Sequence, residues 1–167
     1  MDHSAHNKLI SFIWSIADDC LRDVYVRGKY RDVILPMVVL RRLDTLLEPT
    51  KEAVLTEVKF QKEEMEATEL DDEPLKEASK YVFYNTSKWT LTSLHQTTTN
   101  NRQILLANFE DYLNGFSANV KEIIECFELK AKVQHMAHKD VLLDVLEKFV
   151  SPDINLTPQE REDSDGI

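Results

Sequence analysis

The chain has 167 residues, 43% hydrophobic and 30% charged, enough for one domain with a real core. Its net charge of −10, from 20 basic and 30 acidic side chains, repels phosphate at long range and argues against autonomous non-specific binding to nucleic acid. Only three glycines occur, Gly28, Gly115 and Gly166, which disfavours a fold of tight turns or phosphate-cradling loops and favours long helices with polar connections.

The first helix is expected from about residue 6 to residue 26. Leu9, Ile10, Phe12, Ile13, Trp14, Ile16, Ala17, Cys20, Leu21, Val24 and Tyr25 recur at spacings of three and four, as a one-sided helix requires. Gly28 is a natural left-handed stop, and Arg27 and Lys29 suit the negative end of the helix dipole. A second helix is expected from residues 30–32 to residue 47, with Asp32 as its N-cap and Pro36 within or just past the first turn. Ile34, Leu35, Val38, Val39, Leu43, Leu46 and Leu47 read as its core-facing set, with Arg41 and Arg42 together on the opposite side.

Pro49 opens a third helix, expected over residues 50–67. Its apolar line of Val54, Leu55, Val58 and Met65 is thin, so it should lie exposed at the edge of the bundle. Pro74 marks a break, and residues 74–82 suggest a short helix. Residues 81–91, YVFYNTSKWTL, are the least helical stretch, and short strands or a packed irregular loop both fit. Residues 95–101 read as a polar connection. Helices follow over about 102–114, 117–127 and 139–150, with 128–138 ambiguous. After Pro152 the polar, acidic tail reads as a linker. The expected fold is mainly α: a compact multi-helix bundle over residues 1–150, with a short aromatic non-helical or small-strand segment near 81–94 and an acidic linker over 151–167.

No apolar run is long enough to span a bilayer, and the opening MDHSAHNK lacks an apolar signal core. Cys20 and Cys126 form no C-x-x-C pair, and Cys20 falls on an apolar helical face, as a buried reduced thiol would. These features point to the cytoplasm. His135-x-x-His138 lacks the further ligands a metal site needs. Asp18, Asp19 and Asp23 read as a solvated face pairing with Arg22 or Arg27 rather than as catalytic carboxylates. The best nucleic-acid candidate is the corner of Arg22, Tyr25, Arg27, Lys29, Tyr30 and Arg31, which could clamp a phosphate. The alternative is intrachain pairing with Asp18, Asp19, Asp23 and Asp32. Arg41 and Arg42 are weaker candidates for DNA or partner contact.

The residues Trp14, Leu21-Arg22, Tyr30-Arg31-Asp32-Val33-Ile34-Leu35-Pro36 and Leu40-Arg41-Arg42-Leu43-Asp44 resemble the N-terminal helical domain of the modification (M) subunit of type I restriction-modification systems. The aromatic stretch ending in Trp89, residues 108–127 and the segment FVSPDINL at 149–156 are similar to later parts of that domain. The resemblance implies a parent adenine-N6 DNA methyltransferase using S-adenosylmethionine. It also implies partners: a specificity subunit, a second modification subunit, a restriction subunit and DNA within the complex, with no membrane. The cofactor turn of such enzymes needs closely spaced glycines, and their flipped base is held by an Asn/Asp-Pro-Pro-aromatic motif. Neither occurs in these 167 residues. No catalytic, cofactor or metal residue is therefore assigned here, and the methyltransferase domain is expected to lie elsewhere in the parent. A stand-alone helical interaction module that binds the specificity or modification subunit is the alternative. A small independent enzyme is a third, for which no site is found.

Overall fold

A computed structural model describes residues 29–66, 68–97 and 102–150. The helix expected over 6–26, Cys20, Gly28 and the tail after 150 lie outside the described residues. Within them the protein is a bundle of helices without a strand, and the one extended pairing is an isolated bridge between Asn85 and Phe116.

Helix α1 spans Tyr30–Leu47. Lys29 stands at its N-cap and makes no side-chain capping bond. Asp32 is therefore not the cap. It lies in the first turn, where its charge suits the positive end of the dipole, and it pairs with Lys29 at 3.8 Å on the surface. Pro36 is accommodated inside the helix.

The face that α1 buries overlaps the expected one in part, through Ile34 and Leu47, with Val38 and Leu43 partly buried against the core. Val33, Ile34, Met37, Leu40 and Leu47 enter the core, whereas Leu35 is 47% exposed. Arg41, Asp44 and Thr45 are buried as well. The buried stripe thus mixes aliphatic and charged groups. The outer face carries Leu35 and, two turns on, Arg42, which is exposed.

A 3-10 turn over Glu48–Thr50 carries Pro49 at its start and leads into α2, Lys51–Glu63. This helix buries only Val54, Val58 and Gln61 and leaves Met65, just beyond it, exposed. It packs against α3, Asp72–Ser79. Pro74 sits in the first turn of α3, where a missing N–H costs little, beside Asp72 and Glu73. Residues 81–90 follow an irregular path. Helix α4, Leu91–Thr97, then occupies part of the expected polar connection. Its start is a reciprocal capping box: Thr90 N donates to Ser93 Oγ (2.8 Å) and Ser93 N donates to Thr90 Oγ1 (3.1 Å).

Helix α5 spans Arg102–Asn114, α6 Ala118–Cys126, α7 Leu129–His138 and α8 Leu142–Phe149. The ambiguous stretch before residue 138 is thus a helix. Four of the described helix junctions turn through non-glycine residues in the left-handed region: Glu66 (φ 50°), Lys80 (70°), Glu128 (54°) and Asp140 (62°). Ile104 on α5 and Ile123 on α6 face solvent.

The main core gathers α1 and α4 to α8 around Phe109, Tyr112 and Phe116. These rings meet edge to face, Phe109–Tyr112 at 6.1 Å and Tyr112–Phe116 at 5.1 Å, the geometry that aromatic quadrupoles favour. A second, separate cluster of Val54, Val58, Leu75 and Tyr84 holds α2 to α3. The loop over residues 81–90 ties the two together. Thr86 N donates to Gly115 O (2.7 Å), Ser117 N to Tyr84 O (2.9 Å) and Tyr84 N to Ser117 Oγ (3.2 Å).

Gly115 permits this docking through its size. A Cβ there would meet Ser87 N at 2.7 Å and both Asn85 Oδ1 and Ser87 Cβ at 2.9 Å. Gly115→Ala is expected to force the 81–90 loop off α5 and to destabilise the fold by about 1–3 kcal/mol, the usual cost of overpacking. The midpoint of urea unfolding measures it.

Candidate functional site

Of the sequence-predicted contact residues, Arg22 and Arg27, with Tyr25, lie outside the described residues. Tyr30 and Arg31 open α1. Lys29 stands exposed at the helix start, in its surface pair with Asp32. Arg42 is exposed three turns further on. At about 1.5 Å of rise per residue the two lie about 20 Å apart along α1, so they do not converge on one phosphate. They could touch an extended partner at two points.

Arg41 is withdrawn from the surface, at 4% exposure. The helical period sends it to the inner side while Arg42, one residue later, points out. Its guanidinium Nη1 lies 3.5 Å from Asp44 Oδ2, one turn along the same helix. Asp44, equally buried, accepts two hydrogen bonds on Oδ1. The Tyr112 hydroxyl of α5 donates at 2.8 Å, and the backbone N–H of Leu91, first residue of α4, donates at 3.2 Å. One carboxylate thus joins three helices and meets the positive end of the α4 dipole.

The electrostatics follow from burial. Loss of water raises the Asp44 carboxyl above its ordinary value, opposed by the hydrogen bonds from Tyr112 and Leu91 and by the Arg41 charge. The Tyr112 hydroxyl is pushed up by burial and by the neighbouring Asp44 charge, so it stays a proton donor. A buried pair of this kind is costly to break, because removing one partner strands the other without water.

Next to this node lies Lys51, at the start of α2. Its ammonium donates to Asn85 Oδ1 at 3.0 Å. The same oxygen accepts from Ser87 N (2.8 Å) and Ser87 Oγ (2.7 Å), while Asn85 Nδ2 donates to Tyr112 O (2.9 Å). Partial burial lowers the Lys51 amine to about 8, against the upward pull of Asp44. Sequence reading passed over Asp44, Lys51 and Asn85. The available signal was the placement of Arg41 and Asp44 one turn apart, in register with Met37, Leu40 and Leu47.

His135 and His138 end α7, and among the described residues no group of three or more His, Cys, Asp or Glu is placed to hold a metal ion. Nor do the described residues offer a glycine-rich turn after a strand. Gly115, the one glycine among them, is filled against by Ser87 and Asn85. No described helix is long and apolar enough to cross a membrane.

A model of the HsdM N-terminal domain matches residues 9–149, most of the chain and every helix from α1 to α8. The chain belongs to the HsdM N-terminal domain family. This is the N-terminal domain of the modification subunit of type I restriction-modification methyltransferases, a subunit that works in association with others. No curated protein and no solved structure matches the chain. In this HsdM N-terminal domain, the Leu40-Arg41-Arg42-Leu43-Asp44 motif divides its work. Arg41 and Asp44 build the interior, and Arg42 is left for the surface.

Two measurements check the node. Tyr112→Phe removes a donor to a buried carboxylate and is expected to cost about 1.5–3 kcal/mol in urea unfolding. For Lys51, the unfolded chain holds a proton that the folded chain lacks between pH 8 and its ordinary value of 10.5. Stability conferred by this group therefore rises with pH across that window. Lys51→Met is expected to remove that rise, read as the difference between wild type and variant in unfolding free energy at pH 8 and pH 10.

Proposed function

We propose that this HsdM N-terminal domain serves assembly and DNA engagement in a type I restriction-modification adenine-N6 DNA methyltransferase. On this reading it contacts DNA and partner subunits, the specificity subunit and a second modification subunit among them. S-adenosylmethionine-dependent methyl transfer belongs to another domain of the parent protein. A restriction subunit joins the same assembly, in the cytoplasm.

The observation that carries this reading is the family match over residues 9–149. The charge distribution is consistent with it. A chain of net charge −10 does not hold DNA by long-range attraction. It needs a partner to bring the duplex close, after which exposed cations such as Lys29 and Arg42 can position phosphates. Arg41 takes no part, since moving it outward would strand Asp44.

The test is DNA binding by the assembled modification enzyme carrying Lys29→Glu and Arg42→Glu. Loss of two phosphate contacts is expected to weaken binding to every sequence alike. The slope of log affinity against log salt should become shallower by about 2, at about 0.9 per contact. Unchanged affinity and slope would remove these two residues from the DNA contact. Failure of the specificity subunit to co-purify with the variant would place them at the subunit interface.

A further inference from the structure

The α2–α3 hairpin stands apart from the rest of the molecule in three ways. It has its own apolar cluster, separate from the main core. Residues 51–79 hold ten acidic and four basic side chains, so more than half of the net charge of −10 sits on this one hairpin. And its outer surface shows large apolar groups: Phe60 on α2 is 49% exposed and Met65 is 59% exposed.

The tip of the hairpin is built rather than loose. Met65 N donates to Phe60 O at 3.3 Å, which folds residue 65 back onto the last turn of α2. Glu66 then turns the chain through a left-handed conformation (φ 50°). Gln61, 1% exposed, clamps the returning strand of chain. Its Oε1 accepts from Asp71 N at 2.6 Å and its Nε2 donates to Asp71 O at 3.2 Å. A buried amide, next in sequence to the exposed Phe60, therefore pins Asp71 to α2, and Met65, Glu63, Glu64, Glu66 and Glu69 between them are exposed as well.

We infer that this tip is a docking surface for a cationic, amphipathic segment of a protein partner, anchored on Phe60 and Met65 and steered by the surrounding carboxylates. Charge complementarity selects the occupant. The carboxylates repel phosphate, so nucleic acid is excluded from this face, and they repel a second copy of the same acidic tip. An aromatic ring and a thioether suit apolar anchors of varied shape. The clamp by Gln61 lowers the ordering cost of binding. The inference does not depend on the DNA-engagement reading, because it concerns a different surface.

The test uses the 167-residue chain and three fluorescent probes: a synthetic helical peptide with leucine at every third or fourth position and lysine elsewhere, its scrambled isomer, and oligolysine. Anisotropy titrations are expected to show saturable binding of the amphipathic peptide, at least tenfold tighter than of either control. Phe60→Ser with Met65→Ser, and separately Glu63→Lys with Glu64→Lys, are each expected to weaken it at least tenfold with an unchanged far-UV spectrum. Only the wild type and the serine variant should retain steep salt dependence. Equal binding of oligolysine, or variants that bind like wild type, would overturn the proposal. So would self-association of the chain that Phe60→Ser abolishes, which would make the occupant a second copy.

Discussion

One buried carboxylate holds the bundle in register. Asp44 is reached by a guanidinium from its own helix, a hydroxyl from α5 and a backbone amide from α4. The Tyr112 hydroxyl and the Leu91 amide would be costly to bury alone, and both reach Asp44 only if the three helices meet at one relative position. Apolar contacts around Phe109 and Phe149 supply the bulk of the cohesion, but such contacts tolerate sliding. The polar node does not. It also reaches outward, since Tyr112 passes its backbone carbonyl to Asn85, and Asn85 takes the ammonium of Lys51. The hairpin is thereby tied to the same point.

Much of the architecture was legible in the sequence. Spacings of three and four locate α1, α2, α5, α6 and α8, and Pro49 and Pro74 mark the openings of α2 and α3. The buried face of α1 is legible only in part: Ile34 and Leu47 enter the core and Val38 and Leu43 pack against it, but Leu35 is exposed. Arg41 and Asp44, which interrupt the stripe of Met37, Leu40 and Leu47, look like solvent-facing charges. Polarity alone cannot tell that two opposite charges one turn apart cancel within a core. Helix α4 carries a weak sequence signal because its capping box uses Ser93 in place of the longer Glu or Gln. Helix α7 is ambiguous in the sequence because its charged residues blur the period of Leu129, Val133 and Met136.

The candidate site was legible only in part. The resemblance to the modification-subunit domain pointed to the right family through residues 30–44, yet the same motif suggested a pair of surface arginines. Helical geometry separates them. Identity of residues in a motif therefore said what the chain is related to, while burial decided which of those residues are available to a partner. The acidic hairpin was visible as a lysine- and glutamate-rich edge helix. What sequence could not show was that Gln61 closes its tip, because that contact joins residues ten apart across a turn.

The junctions of this bundle carry a further consequence. Lys80, Glu128 and Asp140 adopt a backbone region that disfavours residues with a side chain, by about 1–2 kcal/mol each. Glycine would relieve that strain at once, but would give the unfolded chain more freedom to lose. The reversals in this protein therefore follow the helices rather than direct them. The packed cores on either side pull the chain through turns it would not choose, so the order of helices around the core is dictated by their buried faces and not by local bends.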